Sequence, residues 1–138
     1  MRRRFALSVT AILLLGSFCH AQQHPRSSKP HEFKSPDGRV IAVVRSMQVP
    51  DAMPESRVEL RTEEGRVLAK RDYTSEDGEH GYGVTKATWT PDSQFFVYSL
   101  ESSGGHSAWH APVQFFSREH DKVVGLDDAV AAPTMDSL

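Results

Sequence analysis

From Glu32 onward, short runs of Val, Phe, Tyr and Thr recur, bounded by Gly, Pro, Asp and Ser. No apolar spacing of the three-and-four kind that a helix face needs runs through them. The pattern is that of strands and turns. Arg57-Val58-Glu59-Leu60-Arg61-Thr62 alternates polar and apolar residues strictly. Successive side chains of a strand point to opposite faces, so this segment predicts a half-buried strand with Val58 and Leu60 facing in. Glu63-Glu64-Gly65-Arg66 predicts a turn, and Val67 to Asp72 the strand that returns beside it.

The pattern occurs twice. Ser35-Pro36-Asp37-Gly38-Arg39 precedes the apolar run Val40 to Val44, and Thr90-Pro91-Asp92-Ser93-Gln94 precedes Phe95 to Tyr98. Pro36 and Pro91 lie 55 residues apart, and at that offset Val58 and Leu60 fall on Val113 and Phe115. One residue further, Val67 and Leu68 fall on Val123 and Val124. The unit is strand, Pro-Asp turn, strand, loop, strand, turn, strand, used twice. In the turn, Pro presets φ, Asp bonds the nearby backbone, and Gly38 accepts a positive φ. The second copy has Ser93 in place of Gly38, which predicts a slightly strained turn or one of a different type.

Ser35-Pro36-Asp37-Gly38-Arg39-Val40-Ile41-Ala42 resembles the Ser-Pro-Asp-Gly-x-x-Ile-Ala signature of WD-like β-propeller repeats of the Tol-system type. Trp89-Thr90-Pro91-Asp92 resembles a second occurrence, with Trp89 in the aromatic position before the turn. The resemblance implies a protein-docking scaffold or a non-catalytic domain of an exported hydrolase. It gives Pro36, Asp37, Gly38, Trp89, Pro91 and Asp92 structural roles. Propellers close with several blades, and two cannot form a ring. The expected fold class is therefore all-β: two four-stranded antiparallel meanders resembling blades, packed together without closure. A face-to-face sandwich, an oligomer and a piece of a longer propeller all remain open.

The N-terminus carries different information. Arg2, Arg3 and Arg4 precede the mostly apolar stretch Phe5 to Phe18, and Cys19-His20-Ala21 offers a cleavage site after Ala21. That is the layout of a secretory signal peptide. The apolar stretch falls short of the roughly 20 residues of a membrane span. Phe18 before Cys19 departs from a lipobox. Cleavage takes 21 of the 138 residues and leaves 117; 13 Lys and Arg against 18 Asp and Glu then give a charge of −5. The only Cys leaves with the leader, so disulfides, a cysteine nucleophile and thiolate metal sites are excluded from the exported part. The acidic balance argues against a nucleic-acid partner. The organisation expected is a signal peptide at 1–21, a linker at 22–30, a first unit at 31–73, a connecting loop at 74–83, a second unit at 84–127 and a tail at 128–138.

Candidate chemistry gathers in the second unit. The loop Ser102 to Pro112 holds a Gly pair, His106, Trp109 and His110. His106 and His110 could bind a metal with His80, Asp77 or Glu79, although Gly before and Pro after them argue against the helix their spacing would suit. Trp109 could stack on a sugar or peptide, or fold back over the end of the sheet. A catalytic His would need a nucleophile and an orienting carboxylate. Ser102, Ser103 and Ser107 are near, but no Gly-x-Ser-x-Gly elbow is present. Glu76, Asp77 and Glu79 lack the ligand ladder of a calcium loop. Arg57, Arg61, Arg66, Lys70 and Arg71, among Glu59, Glu63 and Glu64, predict an outward, mixed-charge face. Phe95, Phe96, Tyr98, Phe115 and Phe116 place aromatics on both faces of the second sheet. One set forms core; the other, with Phe96 and Phe116, must cover the first sheet, a neighbouring chain or nothing.

The function expected is an exported, non-enzymatic binding or scaffold module without metal or cofactor. Its contact residues are expected to be His106, Trp109, His110, Phe96 and Phe116. A protein, a peptide or a glycan is the expected partner, with a homo-oligomer open, and no membrane contact once the leader is gone. The alternative is an enzyme or a metal-binding, hydrolase-associated domain using His106 and His110, or a truncated propeller.

Overall fold

Both Pro-Asp turns fold the same way, and they set the register of everything after them. The structure is a computed structural model that describes residues 26–48, 53–105 and 111–131. Ser35 N–H donates to Val40 O and Gly38 N–H to Ser35 O; Thr90 and Ser93 repeat the two bonds 55 residues later. Asp37 accepts from Ser35 Oγ at 2.7 Å, and Asp92 accepts from Thr90 Oγ1. Gly38 has φ 76° and Ser93 φ 62°. The second turn is thus of the same type as the first, with a side chain in the left-handed region where glycine is favoured.

Nine strands form two antiparallel sheets among the described residues. The first holds β1 (Arg26–Ser27), β2 (His31–Lys34), β3 (Val40–Gln48), β4 (Glu55–Thr62) and β5 (Val67–Asp72). β1 and β2 both pair with β3, which is followed by β4 and β5. The second sheet is the meander β6 (Tyr82–Trp89), β7 (Phe95–Ser102), β8 (Val113–Ser117) and β9 (Lys122–Gly125). Short α1 (Leu126–Ala131) closes the described chain. β1 lies where a linker was expected, and α1 begins two residues before the expected tail, inside the expected second unit.

The repeat is a repeat of register. Phe33, Ala42, Leu60 and Ala69 line up across the first sheet. Thr88, Val97, Phe115 and Val124, each 55 residues on, line up across the second. Ala69, rather than Leu68, therefore matches Val124. A bulge at Leu60/Arg61 in the β4–β5 pairing takes up the one-residue shift between the two copies.

The two units bury opposite faces. The first sheet turns Val40, Ala42, Val44, Val58 and Leu60 inward. The second turns Trp89, Phe96, Tyr98, Leu100, Phe116 and Val123 inward against them. By register Phe96 corresponds to Ile41, not to Val40 or Ala42, so the sheets stack front to back. Phe96 and Phe116 are 0% exposed. Of the three things they could cover, they cover the first sheet, and their place as contact residues for a ligand is corrected accordingly. Phe33, Trp89 and Tyr98 ring Phe96 at centroid distances of 5.5, 5.3 and 5.7 Å. Trp89 Nε1–H donates to Phe33 O at 2.8 Å and so ties the second sheet to the first.

Candidate functional site

His106, Trp109 and His110 lie outside the described residues. The described residues offer three places to look: the two ends of the stack and its open surfaces.

At the turn end, the two Pro-Asp turns touch. Asp37 N–H donates to Ser93 Oγ at 3.1 Å, and Arg118 pairs with the Asp37 carboxylate. Ser93, strained though it is, supplies a bond between units that glycine could not. The Arg118 hydrogen bond, then the Ser35 hydroxyl, hold the Asp37 carboxyl well below the usual carboxylate range.

At the other end, the side chain of Glu55 is 1% exposed and, among the described residues, pairs with no cation. Four donors satisfy it instead. Ser75 N–H reaches Oε2 at 2.6 Å; Ser75 Oγ, Gly81 N–H and Ser103 Oγ each reach Oε1 at 2.7 Å. Burial pushes this carboxyl up, and the bonds from Ser103, Ser75 and Gly81 together outweigh it and hold it low. Gly81 is required here, because a Cβ would stand 2.5 Å from the Glu55 carboxyl carbon. The 74–83 connector and the end of β7 are thereby pinned to the start of β4. Sequence reasoning missed Glu55, since a charged residue at a strand start carries no local sign of burial.

Among the described residues, no three His, Cys, Asp or Glu side chains gather to hold a metal. Asp77 is engaged within its own loop, accepting from Glu79 N–H at 3.0 Å beside His80. Those bonds, the Glu79 backbone first, lower its carboxyl to about 2. Ser117 Oγ and His120 Nδ1 stand 3.1 Å apart. Among the described residues, no carboxylate accepts a hydrogen bond from that imidazole, as a triad requires.

The two outer surfaces differ sharply. On the first sheet, Arg57 pairs with Asp72, Arg61 with Glu32 and Lys70 with Glu59, at 2.8, 2.8 and 3.1 Å. Val43, on this outer side, is 1% exposed. This is the expected mixed-charge face, with one correction. Arg71, opposite the inward Val58, reaches across to Val123 O at 2.9 Å instead of outward.

The outer surface of the second sheet is apolar across its middle. Phe95 and Phe115 meet edge to face at 5.8 Å, and Phe95 is 37% exposed. Val97, Val113 and Val124 continue the stripe, each half-buried. A groove of ≈ 390 Å³ runs beside Phe95, Phe115, Val124 and Ala129 of α1. A second depression of ≈ 250 Å³ lies by Val97 and Val113, with Lys86, Thr88 and Ser99 at its edge. The sequence signal for this face was present in the adjacent aromatics, but it named the wrong member of each pair.

Compared with known proteins, the chain matches no family model, no curated protein and no solved structure.

Proposed function

We propose that this chain is an exported, non-enzymatic binding or scaffold module made of two repeats of the WD-like propeller type. Its contact surface is the outer face of the second sheet. One observation carries the reading: Phe95, Val97, Val113, Phe115 and Val124 form a continuous apolar stripe that, among the described residues, no other sheet covers. Contiguous exposed apolar surface rimmed by polar residues marks interaction sites on soluble proteins. The rim here carries Lys86, Thr88, Glu119 and Lys122. A shallow, open stripe of this kind suits a protein or peptide surface, and the stacked aromatics would also accept the apolar face of a glycan ring. The layout of residues 1–21 supports export.

The test is binding of a hydrophobic fluorescent dye to dilute, folded protein. Native protein should enhance the dye, and Phe95→Ser/Phe115→Ser should abolish the enhancement while keeping the strand signature in circular dichroism. No enhancement with native protein, at a concentration where it sediments as a monomer, overturns the assignment of the surface.

A further inference from the structure

We propose that the outer face of the second sheet pairs with the same face of a second copy of this chain, giving a two-fold dimer. The inference rests on the reading of that face as a contact surface and names its occupant.

The repeat itself supplies the argument. Val40, Ala42, Val58, Leu60 and Ala69 of the first unit correspond by register to Phe95, Val97, Val113, Phe115 and Val124 of the second. In the first unit Val40, Ala42, Val58 and Leu60 are 0–3% exposed because another sheet covers them. In the second unit the same repeat positions stay apolar, yet among the described residues no sheet covers them. The face has the chemistry of a sheet-on-sheet interface that already exists once within the molecule.

The opposite end of the stack is finished differently. At positions matching the inward Phe96, Leu100 and Phe116, the first sheet carries Ile41, Arg45 and Arg61 outward. Arg61 is held in an ion pair with Glu32. Terminal repeats of stacked arrays characteristically carry such a polar outer face. A second copy therefore cannot present this surface to the apolar stripe without stripping its charges of water at a large desolvation cost. The surface of a second copy that matches the stripe is the stripe itself. Self-pairing is isologous and closes at two copies, with a charged sheet at each end.

Sedimentation of residues 22–138 at roughly 10 µM should give a dimer. Phe95→Glu, at a position already partly exposed, should raise the dissociation constant at least about thirty-fold, as loss of a central anchor does. Val97→Lys repeats the measurement should Phe95→Glu not fold. Arg45→Glu, on the charged outer sheet, should leave the dimer intact. A native monomer, a dimer indifferent to both stripe variants, or a series that grows with concentration each overturns the proposal. The dye separates this failure from that of the contact surface. A monomer whose dye signal disappears with Phe95→Ser/Phe115→Ser removes the dimer and keeps the surface; a monomer that never binds dye removes both.

Discussion

Replacing Glu55 by Gln tests the buried carboxylate without changing its size. Three donors converge on Oε1 and one on Oε2. The amide oxygen of Gln fits the Oε1 position and keeps the bonds from Ser75 Oγ, Gly81 N–H and Ser103 Oγ. Its NH₂ then faces the Ser75 N–H, donor against donor, and that bond is lost. A bond to a charged group contributes about 1.5–3 kcal/mol and a neutral one about 0.5–1.5, so three weakened bonds and one lost give a gross cost of several kcal/mol. Two features reduce it. Ser75 is half-exposed and can turn to water, and a buried amide costs less desolvation than a carboxylate. The net expectation is roughly 3 kcal/mol at neutral pH, or about 15 °C in a thermal melt followed by circular dichroism. The pH dependence gives a second readout. The folded-state carboxyl titrates below its unfolded value. Its stabilisation is therefore complete above about pH 4.3 and is lost as pH falls through the folded pKa. The gap between wild type and Glu55→Gln should narrow on acidification. A melt within about 2 °C of wild type at pH 7, or a gap that stays constant into acid, refutes the reasoning.

Two other positions give sharp expectations. Ser93→Gly relieves the left-handed backbone and loses the hydroxyl that accepts from Asp37, so the two effects should cancel to within about 0.5 kcal/mol. Ser93→Ala keeps the strain and loses the bond; denaturant titration should place it about 1 kcal/mol or more below Ser93→Gly. Trp89→Phe retains a ring against Phe96 but leaves Phe33 O without its donor across the sheets. A loss of about 1–3 kcal/mol is expected in the same titration, and an unchanged midpoint would show that the bond contributes nothing net.

How much of this was legible in the sequence depends on how local the signal was. The Pro-Asp turns, the β4–β5 hairpin and the 55-residue register are written in neighbouring residues, and β4 falls where its alternation places it. Which face each sheet buries was not legible. Phe95 and Phe96 are equally apolar, and only the packing of one sheet on another decides between them. Arg71 fails for the same reason: its strand position reads as surface until Val123 of the other sheet comes within reach. Glu55 is the extreme case. Its donors come from positions 20, 26 and 48 residues away, and no window along the chain contains them.

The ties between the sheets also bear on the order in which the chain assembles. Apart from β1 on β3, each sheet is made of hairpins between consecutive strands, and such contacts form on the microsecond scale. Asp37 to Ser93, Trp89 to Phe33, Arg71 to Val123 and Arg118 to Asp37 span 56, 56, 52 and 81 residues. Docking of two preformed meanders then becomes the slow event, because loop-closure entropy is spent before those contacts return anything. Until it happens, Phe96 and Phe116 stand on a bare surface, and the nascent protein is at its most prone to aggregate.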